Sequence, residues 1–468
     1  MQRLKVSASC PSCGAPLELQ EGANVSRCPF CDLPLLFQSP NSILTYYLEP
    51  QVNQQEIPFH LDRYRKEKGE SLSRRVDEMK LYYLPFWRFT SSIFYTQVDD
   101  SSMEPYQERT EAEILTREWD INFPANESND FGLDTLGLRP EWLKLRLLTD
   151  KNLVKTGTVL NLELDSSSAK EKALESLELL MDDKRSSGKE LILRLLDETL
   201  SLIYFPLWVV NFIAKEGKYY QIIDAITGRT LKQGSGYFEL KENLNREFKE
   251  IPAPKIIPHR CPNCGWDLPV TPFHLIFPCE NCSRIWEISA NGYLPIKGEI
   301  AKLKDSGLIK LLKSVCYFPF WVFQARPVKE KDFPIQKLVE LIPSEIGWFK
   351  VKDKSKPFLF YVPAFEIKNL SKIPALSLVL TRTQPDLETE TWEKNKLSGA
   401  VMSAEDAQKI AQILWIHLIS EKVNLHLDEW KELILEQGRL VWYPYYEECN
   451  FLEDLVTGYT FQIYKPQG

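Results

Sequence analysis

Glycine is scarce in this chain, at twenty of 468 residues. The glycine-rich loops that cradle phosphate, G-x-G-x-x-G and Walker A, do not occur. Histidine is scarcer, with five scattered copies. None lies in H-E-x-x-H, and G-x-S-x-G is also missing, so the expectation is a non-enzymatic protein. Long hydrophobic runs are lacking too. The most apolar stretch, Leu200 to Ala214, is broken by Pro206 and Asn211, whereas a membrane-spanning helix needs about 20 apolar residues. Met1-Gln-Arg-Leu-Lys-Val has no apolar signal region. Positive charge is not in excess: the net charge is −8, which disfavours bulk attraction to nucleic acid or anionic lipid. The expectation is a cytoplasmic, soluble chain with no transmembrane segment.

What the sequence does contain is a stretch written twice. Cys10-Pro-Ser-Cys13 is followed by Cys28-Pro-Phe-Cys31, and Cys261-Pro-Asn-Cys264 by Cys279-Glu-Asn-Cys282; both copies read C-x2-C-x14-C-x2-C. This is four-thiolate zinc-ribbon spacing, because two C-x2-C turns meeting head-on close a tetrahedron. One structural Zn²⁺ per quartet, two per chain, is expected, with Cys10, Cys13, Cys28, Cys31 and Cys261, Cys264, Cys279, Cys282 as ligands. Four thiolates leave no open position for water or substrate, so these sites should staple rather than catalyse. Eight of the ten cysteines fall in the quartets, a metal arithmetic that fits a reducing compartment better than a disulfide framework does. Cys316 and Cys449 fall in aromatic strand segments and read as buried thiols. His259 and His274 flank the second quartet but are surplus to it; His417 and His426 lie on the second helix and beyond, and His60 has no evident partner.

The repetition extends past the cysteines. Tyr317-Phe-Pro319-Phe-Trp321 answers Tyr83-Leu-Pro85-Phe-Trp87, and Trp442-Tyr-Pro444-Tyr-Tyr446 answers Tyr204-Phe-Pro206-Leu-Trp208. Tyr361-Val-Pro363-Ala-Phe365 answers Asn122-Phe-Pro124-Ala-Asn126 more weakly, and Asp454-Leu-Val-Thr-Gly458 answers Asp224-Ala-Ile-Thr-Gly228. The aromatic-Pro-aromatic segments read as core strands with proline at an edge or bulge. The Asp-x-x-Thr-Gly segments read as hairpin turns with glycine supplying positive φ and aspartate bonding backbone amides. Ser168-Ala-Lys-Glu171 has capping-box spacing ahead of Ala173, Leu177 and Met181, and Ser403 opens a matching helix through Leu418. Residues 41–58 read as connecting sequence, 61–80 as mostly helical, 97–112 and 125–134 as loops.

The expected fold is α+β: two tandem repeats, each a zinc ribbon followed by a mixed or antiparallel sheet with flanking helices. The boundaries expected are ribbon 1 at 1–40, an α+β unit at 41–240, a proline-containing linker at 241–258, ribbon 2 at 259–290 and a second α+β unit at 291–468. The charges within the quartets are Glu18, Glu21 and Arg27 in the first and Asp267 and Glu280 in the second. Such acidic ribbons favour protein partners over phosphate.

The ribbons resemble the transcription-factor-IIB type. Together with Tyr83-Leu-Pro85-Phe-Trp87, Tyr204-Phe-Pro206-Leu-Trp208 and the turn at Asp224–Gly228, the chain is similar to a group of poorly characterised bacterial zinc-ribbon proteins. That resemblance implies zinc binding and a link to membrane-stress or membrane-scaffold assemblies, which this chain would reach peripherally through a partner. The function expected is a zinc-binding adaptor or scaffold for protein–protein interaction; the alternative is a nucleic-acid-binding protein using its ribbons.

Overall fold

The computed structural model describes residues 4–38, 43–69, 75–99, 113–126, 130–137, 144–148, 157–182, 189–215, 217–238, 240, 255–289, 292–302, 315–341, 353–385, 388–392, 397–420, 430–436, 438–448 and 451–462. Within them lie five helices and several sheets. The chain divides into two compact units: Met1–Thr90, Asp120–Leu179 and Thr199–Pro258 form one, and Ser91–Trp119, Leu180–Glu198 and His259–Gly468 the other. Among the described residues no helix is long and apolar enough to cross a membrane. His426, Cys449 and positions 241–254 of the expected linker lie outside the described residues, as do 100–112.

In the first unit the central element is the Thr199–Ala214 part of the long strand Lys189–Ala214, whose Lys189–Glu198 part belongs to the second unit. It pairs in parallel with Leu44–Leu48 through Ser201–Tyr204, and antiparallel with Gly217–Asp224 through Leu207–Ala214. The sheet continues from Leu44–Leu48 to Lys144–Leu147, Lys5–Ser9 and Pro16–Gln20, and the strand Arg75–Asp99 joins Lys189–Ala214 away from this path. Residues 81–91 and 201–212 are buried without interruption, as expected of strands covered on both faces. Tyr82, Leu84, Phe86, Ile203, Phe205 and Leu207 meet in one core.

In the second unit the sheet order is Leu359–Pro363, Val315–Pro327, Arg439–Glu448, Gly298–Ala301, Thr389–Thr391. Arg439–Glu448 pairs in parallel with Gly298–Ala301 through Leu440–Trp442, then antiparallel with Phe451–Asp454 through Tyr445–Glu448. The helix Ala404–Ser420 buries Ile410, Ala411, Leu414 and Trp415 against Phe333, Phe360 and Val362. Ser403 caps it, its hydroxyl accepting the Asp406 N–H at 3.1 Å.

The prolines of the aromatic segments sit inside long strands, and the registers explain how. Pro206 falls between Tyr204, the last residue paired with the parallel neighbour, and Leu207, the first paired with the antiparallel one. Pro444 falls likewise between Trp442 and Tyr445. A residue without an N–H is tolerated where the neighbouring strand changes, because no rung is lost there. The carbonyls are still used: Pro206 accepts from Ala225 and Pro444 from Leu455, both at 3.2 Å.

Several local expectations fail for reasons of tertiary context. Leu44–Leu48, read as connecting sequence, is a strand, because it fills the space beside Ser201–Tyr204. The helix expected over 61–80 covers Ile57–Lys68 and ends where Gly69 adopts φ 68° and donates to the Arg65 and Lys66 carbonyls. From Arg75 the chain is already in the strand that runs to Asp99, the ladder overriding the helical propensity of Glu78-Met-Lys80. Helix Ser166–Asp182 is capped three residues before Ser168, by Asp165, whose carboxylate accepts the Ser168 N–H at 2.9 Å. Lys255–Pro258, at the end of the expected linker, is a strand paired with Pro34–Gln38.

Candidate metal centres

Each quartet is assembled from two C-x2-C loops of one design. The N–H of the first cysteine donates to the carbonyl five residues on, and the N–H four residues on returns to the cysteine carbonyl: Cys10 with Ala15 and Gly14, Cys28 with Leu33 and Asp32, Cys261 with Trp266 and Gly265, Cys279 with Arg284 and Ser283. Closing that loop requires positive φ directly after the second cysteine. Gly14 and Gly265 supply it at 73°, whereas Asp32 (59°) and Ser283 (53°) adopt it as non-glycine residues, which asparagine-like short polar side chains tolerate best.

The loops bring the sulfurs together. Cys10 and Cys31 Sγ are 3.8 Å apart and Cys13 and Cys28 3.7 Å; Cys261–Cys282 and Cys264–Cys279 are both 3.6 Å. All four sulfurs of each quartet lie within 4.8 Å of one another. A tetrahedral ion with metal–sulfur bonds of roughly 2.3 Å has sulfur–sulfur edges of about 3.8 Å, so each quartet has the size of a four-thiolate metal site. Among the described residues these two quartets are the groups able to hold a metal ion. In each, the first cysteine of both loops is buried: Cys10, Cys28, Cys261 and Cys279.

The thiols of each quartet differ in their surroundings. At Cys28 burial resists ionisation, but the Cys31 and Phe30 amides donate to the sulfur and bring the thiol down to about 7. At Cys264 the Asn281 side chain, then the Trp266 amide, bring it to about 6. Burial pushes Cys279 up to about 12. Cys13 also rises to about 12: its Ala15 amide favours the thiolate, but desolvation and the three neighbouring sulfurs outweigh it. Cys28 and Cys264 are thus drawn toward the thiolate form that ligates a cation.

Each quartet carries a three-stranded sheet. In the first, Val25–Arg27 and Lys255–Pro258 flank Pro34–Gln38; in the second, Ile276–Pro278 and Gly292–Ile296 flank Ile285–Ser289. The nearby histidines are structural. His259 is fully buried, its Nδ1 bonded to the Tyr293 hydroxyl and its Nε2 at 3.1 Å from the Pro269 carbonyl. The His274 ring occupies the space beside Gly399, where a Cβ would clash at 2.3 Å. His60 lies against Gly228 in the same way. His417 is half-buried on helix Ala404–Ser420, and Cys316 is half-buried, its thiol 3.6 Å from the Tyr445 carbonyl.

Two features had no usable signal in the sequence. Glu21, counted among the charges of the first quartet, is 8 % exposed and ion-paired with Arg88, itself 1 % exposed. Arg88 also pairs with Asp120 at 2.7 Å. Burial works against the guanidinium's charge, but Asp120 and Glu21 outweigh it and raise its pKa. The second is Trp286, whose Nε1 donates to Cys261 Sγ at 3.2 Å. No protein-family model, no curated protein and no solved structure matches this chain.

Proposed function

We propose that the chain is a non-enzymatic zinc-binding adaptor, built by duplication of one ribbon-plus-α/β unit, in which each quartet holds one structural Zn²⁺ and the surfaces bind other proteins. The observation that carries the zinc reading is the pair of cysteine quartets with the edge lengths of a tetrahedral thiolate site. Zinc is the choice because four thiolates with no open position suit a closed tetrahedral d¹⁰ ion. Binding is worth roughly 10–16 kcal/mol in small zinc-finger peptides, which replaces the hydrophobic core a short ribbon cannot build.

Matched hydrogen bonds support the duplication. The carbonyls of Pro85 and Pro319 accept from Ala125 and Ala364, both at 2.9 Å. Trp87 Nε1 donates to the Leu164 carbonyl just before helix Ser166–Asp182, and Trp321 Nε1 to the Met402 carbonyl just before helix Ala404–Ser420. The carboxylates of Asp224 and Asp454 accept from the amide two residues on and from the threonine hydroxyl three residues on. Such agreement in order and geometry is what two copies of one unit would retain.

The adaptor reading is tested by purifying the tagged full chain from its own host without nuclease. Two equivalents of zinc, a stoichiometric protein partner and a protein-like absorbance ratio are expected. Nucleic acid that washes off steeply with salt would replace the adaptor reading by nucleic-acid binding, and a metal-free chain would overturn the zinc reading.

A further inference from the structure

The two quartets share a backbone scaffold but differ in the side chains that reach their sulfurs. In the second, the buried Trp286 Nε1 donates to Cys261 Sγ at 3.2 Å, and the Asn281 side chain hydrogen-bonds to Cys264. In the first, among the described residues, the sulfurs meet backbone amides and one another. The residues at matching positions give the reason. Asn281 directly precedes Cys282, where the first ribbon has Phe30 before Cys31; Trp286 lies four residues after Cys282, where the first ribbon has Leu35. Neither phenylalanine nor leucine carries a donor. Access differs as well: Cys13 and Cys31 are both exposed, whereas in the second quartet Cys264 is exposed and Cys282 only partly so.

Four thiolates on a divalent cation leave excess negative charge on sulfur, and sulfur lone pairs are where soft electrophiles attack. A donor N–H aimed at a sulfur draws off that charge and occupies a lone-pair direction; such outer-shell bonds typically change metal affinity or reactivity 10–100-fold. We infer that the first quartet is the chain's reactive metal site, with Cys13 and Cys31 open to alkylation by α,β-unsaturated electrophiles and consequent zinc release, while the second is a protected staple. In that step the thiolate lone pair forms a carbon–sulfur bond at the alkene as its π bond breaks, the neighbouring alkene carbon takes a proton from water and leaves hydroxide, and the resulting neutral thioether at Cys13 or Cys31 would be a far weaker metal ligand than the thiolate. This rests on the zinc reading above.

The test uses the zinc-loaded full chain, its metal counted beforehand. N-ethylmaleimide is added with a chromogenic zinc reporter, and adducts are mapped by peptide mass spectrometry. One equivalent should leave about tenfold faster than the other, with Cys13 or Cys31 modified first. Trp286→Phe and Asn281→Ala should each speed the slow phase severalfold, and Phe30→Asn should slow the fast one severalfold. Phe30 is 68 % exposed and Asn281 is exposed, so the last two substitutions leave the fold intact even if Trp286→Phe does not. Release of both equivalents at one rate, first modification in the second quartet, or unchanged phases in both Asn281→Ala and Phe30→Asn would overturn the inference while leaving the zinc reading standing. A chain that purifies without zinc would instead defeat the zinc reading, and the inference with it, before any maleimide is added.

Discussion

In the first ribbon the strand Pro34–Gln38 is completed by Lys255–Pro258, which reaches it from far along the chain, whereas in the second Ile285–Ser289 is completed by Gly292–Ile296, the next segment. The first ribbon is further tied to its unit by the Glu21–Arg88 ion pair, and Cys10 and Cys28 pack in the same core as Phe86 and Phe205. The third strand of the ribbon sheet is therefore distant in sequence in one case and adjacent in the other, although the second ribbon is also tied to its unit, Ile276 exchanging backbone hydrogen bonds with Ala400 and packing with Ile285 in the core around Trp442. Recruiting a third strand from far along the chain costs more closure entropy than recruiting the next segment, so damage to the first quartet should free Lys255–Pro258, whereas damage to the second should leave Gly292–Ile296 beside its neighbour.

Removing the metals tests that contrast with the largest effect. Cys10→Ser and Cys261→Ser should each lower zinc content from two equivalents to one, measured by atomic absorption. Hydrogen exchange should show loosening of Lys255–Pro258 and the first sheet in the former, but of Ile276–Ile296 in the latter. If each mutant loosened the other's ribbon, the contrast would be wrong.

Next in size is Arg88→Met, which leaves Glu21 buried without its cation and should cost about 3–5 kcal/mol in denaturant unfolding. Arg88→Met with Glu21→Gln should recover most of that loss, since no uncompensated charge remains.

Acid sets a difference in the opposite direction, against the second unit. Burial lowers the His274 pKa to about 4, so the folded protein resists a proton that the unfolded chain accepts near 6.5. Above pH 6.5 the contribution to stability is complete. It is lost as pH falls toward 4, by on the order of 3 kcal/mol at pH 4. With zinc in excess, the stability gap between wild type and His274→Gln should narrow by up to about 1.4 kcal/mol per pH unit below 6.5. A gap constant from pH 7 to 5.5 would show that His274 does not titrate this way.

The smallest effect compares the two Asp-x-x-Thr-Gly turns. Gly228 and Gly458 have φ of 73° and 72°, so alanine at either costs about 1–2 kcal/mol of backbone strain. At Gly228 a Cβ would also meet the His60 ring at 2.1 Å, while at Gly458 nothing lies within 4 Å. Gly228→Ala should therefore lower the melting temperature more than Gly458→Ala, and His60→Ala should remove most of the difference.

The residues themselves were sufficient for much of this. The C-x2-C spacings located both quartets, because two short loops have few other ways to gather four sulfurs. The Asp-x-x-Thr-Gly spacing specified its turn, since φ and hydrogen bonding there are local. Apolar residues at period 3.6 identified the helix carrying Ala407, Ile410 and Leu414, and the aromatic-Pro-aromatic segments identified the central strands. What local pattern could not supply was pairing. Leu44–Leu48 and Arg75–Lys80 are strands because a neighbour needs a partner, and Lys255–Pro258 completes a ribbon from which the sequence holds it distant. Glu21 entered the sequence reading only as a charge, whereas Arg88 lies buried beside it, and nothing local aims the Trp286 indole at a cysteine. Spacing along the chain determines which atoms can form a loop; only folding in three dimensions decides which charges lose their water and which donors reach a sulfur.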